Sequence, residues 1–199
     1  MAFPSSGFRW LNANLGVSAE CFASPLNAWN ERFCSVAYDT DRFFGSMGNF
    51  FCYHGDTEQP WRGGSFEANP PFVESVMEHM ARRIELLLDI YHDADLPLSF
   101  TVIVPGWDDD GCVSYRIMST SKHARPTSGY KLILPAKEHN YRPGMQQRSH
   151  HDEQPSNVAT FVFFLQNASG AKKWPITEEK ANELKDILFR ESTMPTIKE

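Results

Sequence analysis

The segment Leu98–Pro105 (LSFTVIVP) does most to limit how this chain can fold. A strand with one wet face alternates apolar and polar residues. A near-continuous apolar run instead reads as a strand buried on both faces, which needs a layer of helices on each side. The rest of the chain supplies those layers. Gly16–Ala23 (GVSAECFA), Cys34–Tyr38 (CSVAY), Ser65–Ala68 (SFEA), Tyr130–Leu134 (YKLIL) and Thr160–Gln166 (TFVFFLQ) read as further strands. The last is rich in the aromatic and β-branched residues that suit a pleated sheet. Pro25–Phe33 reads as a helix. Phe72, Val76, Met80, Ile84 and Leu87 recur every three to four residues, the stripe of an amphipathic helix. Glu178–Phe189 reads as a last helix with Thr177 as its cap. The alternation predicts an α/β fold: a central, mostly parallel sheet with flanking helices. At 199 residues a single domain is expected.

Several function classes fall away. The four cysteines, Cys21, Cys34, Cys52 and Cys112, have no CxxC spacing, so neither a zinc site nor a redox pair is suggested. They read as reduced thiols of a nuclear or cytoplasmic protein. No apolar run approaches the roughly 18 residues of a membrane span, so no membrane partner is expected. The first 20 residues lack a secretory pattern. The net charge of −6 is unpromising for a nucleic-acid binder, but its distribution is uneven. Residues 1–115 hold 16 acids against 6 Lys/Arg, whereas residues 116–148 hold 7 Lys/Arg against the single acid Glu138. Such a local field can attract phosphates on an acidic protein. It equally fits a solvated loop.

Asn69-Pro70-Pro71-Phe72 sits where a strand ends and a helix begins, the edge at which open α/β sheets bind ligands. Two prolines remove two N–H donors, fix two φ angles and hold Asn69 extended. One reading is a braced turn that merely opens a helix. The other is chemical. An adenine N6 amine is a poor nucleophile, because its lone pair is delocalised into the ring. The Asn69 side-chain oxygen and the Pro70 carbonyl can accept both N6 protons and stabilise positive charge as a methyl group arrives. The Phe72 ring can stack on the base. A sulfonium cofactor would supply the hard chemistry and the protein the alignment.

Such a cofactor, S-adenosylmethionine, needs a tight turn after a strand, small residues, and an acid for its hydroxyls. Glu20-Cys21-Phe22-Ala23-Ser24-Pro25-Leu26-Asn27 offers these, and Asp39 and Asp41 offer a second acid. There is no GxGxxG, so a plain strand–turn–helix connection fits as well.

Taken together, six stretches resemble one family. They are ECFASPLN (Glu20–Asn27), DTDxxFGSxG (Asp39–Gly48), GSFEANPPF (Gly64–Phe72), PLSFTVIVPGW (Pro97–Trp107), LILPAKEHNYRPG (Leu132–Gly144) and the FLQN-to-KW run (Phe164–Trp174). In order and spacing the chain is similar to the cap-specific adenosine N6-methyltransferases known as phosphorylated-CTD-interacting factor. The resemblance implies a Rossmann-like methyltransferase domain with its core over about residues 16–190. It implies methyl transfer from S-adenosylmethionine to N6 of 2′-O-methyladenosine beside a messenger RNA cap. Asn69, Pro70, Pro71 and Phe72 match the catalytic motif. Glu20, Cys21, Phe22, Ala23, Ser24, Pro25, Asn27, Asp39 and Asp41 match the cofactor region, and Glu138, His139, Tyr141 and Arg142 match a substrate-facing segment. Family members carry a helical region before the ECFASPLN strand, and animal members a WW domain. Neither is expected here, so RNA recognition could draw on a partner chain. Two rival functions stay open: a non-catalytic RNA-binding or scaffold subunit, and an adenine methyltransferase acting on DNA.

Other clusters read as structural. His150-His151-Asp152-Glu153 lies in a polar loop, and adjacent residues rarely share a tetrahedral metal site. Cys52 with His54, and Asp108-Asp109-Asp110, read the same way. Lys172-Lys173-Trp174 fits either an RNA contact or a surface loop with a half-buried ring.

Overall fold

The computed structural model describes residues 2–52, 61, 63–92, 95–109, 111–142 and 154–193. His54, Asp110 and the His150–Glu153 cluster lie outside them. In chain order the elements are α1 (Ser5–Leu15), β1 (Val17–Glu20), β2 (Arg32–Phe33), α2 (Tyr38–Asp41), β3 (Gly64–Ala68), α3 (Glu74–Ile90), β4 (Leu98–Pro105), α4 (Val113–Ser119), β5 (Leu132–Leu134), β6 (Asn140–Tyr141), β7 (Gln154–Pro155), β8 (Thr160–Gln166), α5 (Ala168–Lys173) and α6 (Glu178–Thr193). Among the described residues, one six-stranded sheet runs β2-β1-β3-β4-β8-β5, with β6 and β7 as a separate pair. Pairing is parallel from β2 to β4; β8 runs antiparallel to both its neighbours. The expected mostly parallel sheet with flanking helices is what forms.

The two faces explain why Leu98–Pro105 reads as a continuous run: every residue of β4 is buried. Phe100, Val102 and Val104 point to one face and meet Phe161, Phe163 and Leu165 of β8 with Met77, Met80, Ile84 and Leu87 of α3. Ile103, Val162 and Phe164 point to the other and meet Phe8, Leu11 and Leu15 of α1 with Leu184 and Leu188 of α6. Each apolar side chain of this size contributes about 1.5–3 kcal/mol on full burial.

The FLQN stretch has a structural explanation. Asn167 caps α5, its Oδ1 accepting from Gly170 N (2.7 Å) and also from Leu98 N (2.9 Å). Its amide donates to the carbonyls of Tyr91 (2.8 Å) and Leu96 (2.9 Å). One buried side chain with every donor in use pins the start of β4 to the end of β8. Thr177 does cap α6, accepting from Lys180 N at 3.2 Å.

Two expectations are corrected. Residues 25–31 form turns rather than a helix, and the second strand is Arg32–Phe33, just before the expected Cys34–Tyr38. The Glu20 carboxylate takes the N–H groups of Trp29 (2.8 Å) and Asn30 (2.7 Å), which a helix would need for its own ladder. The residues ahead of β1, to which the sequence assigns no element, form α1. Gly16 ends α1 at φ +64°, and a Cβ there would strike the Trp174 ring. With no side-chain cap and no acid in its first turn, α1 shows few local start signals.

Candidate functional site

The carboxyl ends of β1 and β3 lie side by side, with Glu20 in register with Glu67. Beyond them the chain opens a pocket of about 600 Å³. Its walls combine two segments far apart in sequence: Glu20–Ser24 with Asn27, and Asn69-Pro70-Pro71-Phe72. Ala2, Phe3 and Phe8 from the chain start, and Ser35, Val36, Asn49, Phe50 and Phe51 from the loops after β2, complete it.

The first segment is shaped by side chains. Asn27 Oδ1 accepts from Ser24 N (2.7 Å) and Ser24 Oγ (3.0 Å), closing a tight turn over Ser24–Asn27. Glu20, reaching across to Trp29 and Asn30, ties down the end of that loop. Trp29 then stacks on Phe8 at 5.8 Å between centroids with planes 7° apart, fastening α1 to the rim. Phe22 packs against Phe50 and Phe51 at 5.2 and 5.6 Å, building an aromatic side wall.

The second segment is a corner. Asn69 follows the last residue of β3, and Val73, in extended conformation, caps α3. Val73 N donates to Pro71 O at 2.7 Å, and the two prolines contribute no donor. Glu74, one step on, binds the start of α4 through Ser114 N (2.8 Å), Ser114 Oγ (2.9 Å) and Cys112 Sγ (3.2 Å). The corner is thus braced by its own prolines and by a second helix. Partial burial works to raise the Glu74 carboxyl, but the bonds from Ser114 and Cys112 outweigh it and hold it below the usual range.

Phe72 is aligned from behind. Its ring meets Tyr141 edge-on at 6.1 Å. Tyr141 Oη lies 2.8 Å from Thr160 Oγ1, which lies 2.8 Å from His139 Nε2; His139 Nδ1 lies 2.8 Å from Pro135 O. A carbonyl only accepts, so Nδ1 donates and the neutral ring accepts at Nε2. Thr160 therefore donates to His139, and Tyr141 donates to Thr160. Burial keeps His139 below its ordinary value, in agreement with a neutral ring.

Electrostatically the pocket is lopsided. Glu20 and Glu67 are its charged lining residues, and none of the described lining residues is Lys, Arg or His. Burial raises both carboxyls above the ordinary range, although bonds from Asn30 and Trp29 counter the effect at Glu20. Glu67 is the more extreme, because its burial is complete and the neighbouring Glu20 adds to the effect. It is 1% exposed, and its Oε1 has no hydrogen-bond partner. Burial pushes the Cys34 thiol up to about 12 and holds Cys21 well above the ordinary thiol range. Both stay protonated near neutral pH and serve as small apolar wall rather than as nucleophiles. The arrangement suits a ligand with a flat ring, polar edges and a positive charge.

The expected site residues divide into groups. Asn69, Pro70, Pro71, Phe72, Glu20, Cys21, Phe22, Ala23, Ser24 and Asn27 share the pocket wall. Pro25 belongs to the turn but is not on the wall. Asp39 and Asp41 lie in α2, outside the lining, where Ser35 and Val36 stand instead. His139 and Tyr141 are buried behind Phe72, not on a substrate surface. Arg142 binds Ser5 Oγ at 2.6 Å, and its backbone pairs with pocket residue Ala2. Glu138 is not on the lining either. The basic stretch is largely engaged: Lys122 pairs with Asp89 (2.7 Å), Arg125 bonds two carbonyls, and Lys131 bonds Tyr115. Lys173 lies 4.7 Å from the Trp174 ring, which packs against the buried cluster of α1 and α6. Asp109 closes a turn onto Gly111 N. Among the described residues no group of His, Cys, Asp and Glu is arranged to hold a metal, and no helix is long and apolar enough to cross a membrane. Of the lining residues that sequence reasoning missed, which include Phe8, Asn49 and Phe50, the charged one is Glu67. Its signal was there: an acid inside the buried strand SFEA needs a reason.

Comparison with known proteins gives this pocket its family. The model described as Phosphorylated CTD interacting factor 1 WW domain matches residues 1–144. The chain is 40% identical over 193 residues to an mRNA (2'-O-methyladenosine-N(6)-)-methyltransferase of Homo sapiens, covering 96% of this chain and 25% of that one. It is 40% identical over 185 residues to the protein of the same description in Mus musculus, covering 92% of this chain and 24% of the relative. The chain spans about a quarter of the length of these curated relatives. A mostly parallel sheet, a corner pocket at its carboxyl edge and similarity over nearly the whole chain lead to one conclusion: this protein belongs to the Phosphorylated CTD interacting factor 1 family, with a Rossmann-like methyltransferase fold.

Proposed function

We propose that the chain transfers a methyl group from S-adenosylmethionine to N6 of an adenosine in RNA, with the 2′-O-methyladenosine beside an mRNA cap as the target. One observation carries the reading: the Glu20–Asn27 turn and the Asn69–Phe72 corner wall a single pocket. A donor and an acceptor can meet there without either segment moving. The relatives named for this reaction supply the substrate class.

The residues present fit the cofactor. A pocket of about 600 Å³ is within the usual range for a small-molecule site. Its aromatic wall of Phe22, Phe50 and Phe51 suits an adenine, and its two acids, with no basic lining residue, suit a cation. When bound, the sulfonium supplies an electrophilic methyl group. The chain's own residues do the rest. Glu20 and the Ser24–Asn27 turn shape the cofactor side. Asn69 Oδ1 and the Pro70 carbonyl orient the amine by accepting its protons, and Phe72 sets the plane of the base. Because the prolines fix both acceptors beforehand, little reorganisation is left for the reaction itself. N6 takes part in duplex pairing, so the target adenosine must be unpaired or turned out of its stack.

The test is to incubate the purified chain with labelled cofactor and 5′-A RNA, capped and uncapped, then digest and identify the nucleosides. Label in N6-methyladenosine or its 2′-O-methyl form from RNA is expected. Label only with a DNA oligomer of the same sequence would move the target to DNA. No labelled nucleoside, with cofactor bound, would leave a scaffold role.

A further inference from the structure

The pocket contains two acids that do not appear in the chemistry above as reactants. Glu20 and Glu67 end adjacent parallel strands in register, on one face of the sheet. Neighbouring strands lie about 4.8 Å apart, so the two carboxyls share one small region. Glu20 has partners in the amides of Trp29 and Asn30. Glu67 has an orphaned, fully buried Oε1 on the pocket wall. A buried carboxyl without a partner costs stability, and a second carboxyl beside it adds to the cost.

None of the described pocket-lining groups around Glu67 offers a counter-charge. Glu20 at the end of β1 and Cys21 just after it lie beside Glu67, with Cys34 close to Cys21. Thr101 of β4 is its register partner on the other side, and the Thr101 hydroxyl also has no hydrogen-bond partner. Tyr141 of β6 senses its charge. Arg83 of α3 acts on the neighbouring Cys21 and packs over Phe50, but it is not among the pocket-lining residues. Among the described residues no cation stands on the pocket wall beside this pair, so a positive charge there would come with a ligand.

We propose that Glu67, in register beside Glu20, is a charge-selecting residue: the pair shares a proton in the free protein and releases it when a positively charged cofactor enters. This rests on the cofactor reading proposed above. Its consequence is discrimination between methyl donor and spent donor. The donor carries a sulfonium in addition to its amino-acid charges; the demethylated product has a neutral thioether in its place. A site that must lose a proton to hold the first has no such reason to lose one for the second. Product release is then favoured by recapture of a proton from solvent, and the acidic pair serves turnover rather than the methyl-transfer step.

Titration calorimetry of the full chain in phosphate and in Tris, two buffers of very different ionisation enthalpy, reads the proton directly. The probes are S-adenosylmethionine, sinefungin (an amine in place of the sulfonium) and S-adenosylhomocysteine. We expect about one proton released per site for the two cations near neutral pH, and close to none for the thioether. In Glu67→Gln the buffer dependence disappears. Its preference for S-adenosylmethionine over S-adenosylhomocysteine falls by about tenfold, the equivalent of one pKa unit, with thioether affinity kept. Equal proton counts for cation and thioether, or an unchanged preference in Glu67→Gln, overturn the inference. Should that variant not fold, the buffer comparison on the unaltered chain decides alone. If none of the three probes binds, with RNA present or absent, the cofactor reading itself fails, an outcome distinct from binding without proton release.

Discussion

The two halves of the sheet are built for different purposes. On one side β4 and β8 run antiparallel through seven register pairs, Ser99↔Gln166 to Pro105↔Thr160, and every residue of both strands is buried. On the other side β1 pairs with β2 through two residues and with β3 through three, with a shift of register between Val17 and Ala19. The long ladder is mostly Phe, Val, Ile and Leu, with Ser99, Thr101, Thr160 and Gln166 as neutral polar residues buried along it. The short parallel half ends in Glu20, Glu67 and Asn69, groups that a stable interior would rather exclude. The ladder makes the protein stable, and its surplus tolerates the polar, partly unsatisfied edge where chemistry is possible.

Substitutions can break or sharpen this contrast. The largest effect belongs to the ladder. Phe163→Ala empties a fully buried site between β4 and α3 and should cost about 3–5 kcal/mol in urea unfolding. A loss under about 1 kcal/mol would deny the ladder its role. Next comes Asn69→Ala in the parallel half. It should lower methyl transfer about 10²–10³-fold, with the thermal midpoint nearly unchanged and cofactor still bound. A parental rate would remove Asn69 from the mechanism. Glu74→Ala cuts the tie between α3 and α4. It should cost about 1–3 kcal/mol at neutral pH by chemical denaturation, since Ser114 N and Oγ both lose an acceptor.

The smallest effect is a matter of pH, and it sets two glutamates on either side of the corner against each other. Glu74 is held below its ordinary value, so its stabilisation is present above the unfolded pKa and fades as pH falls through the folded one. Glu67 is raised. Its folded form binds a proton that the unfolded chain has given up, so stability declines as pH climbs from the ordinary carboxyl range toward the folded value. Melting curves across pH should show Glu67→Gln flattening the decline on the alkaline side, and Glu74→Gln flattening the decline on the acid side. The opposite assignment would contradict the two environments described.

Legibility from sequence follows the same division. Strands β4 and β8 and helices α3 and α6 could be read because their signals are local and long: both-face burial, an apolar stripe, a capping Thr. The corner was readable because two prolines leave few conformations open. The turn after β1 reads as a helix from sequence, because what forbids that helix is the Glu20 carboxylate arriving from another element. The same holds for Asp39 and Asp41. They sit at the expected distance after a strand, but the short helix they occupy turns them from the pocket. His139 and Tyr141 match a family segment expected to face substrate, and both are buried behind Phe72. Their family-like spacing carries no sign of whether a ring faces solvent or packs behind Phe72. The share of α1 in the pocket depends on Phe8 meeting Trp29, a contact no local pattern announces.

The relay from His139 through Thr160 and Tyr141 to Phe72 has a practical consequence. The aim of the ring proposed to meet the nucleobase is set at the first residue of β8, in the half of the sheet that does not line the pocket. Anyone re-engineering the pocket for a different base would gain little from exchanging Phe72 alone. The angle of its replacement would still be dictated by a tyrosine whose hydroxyl is anchored at Thr160, so the place to begin is the anchor.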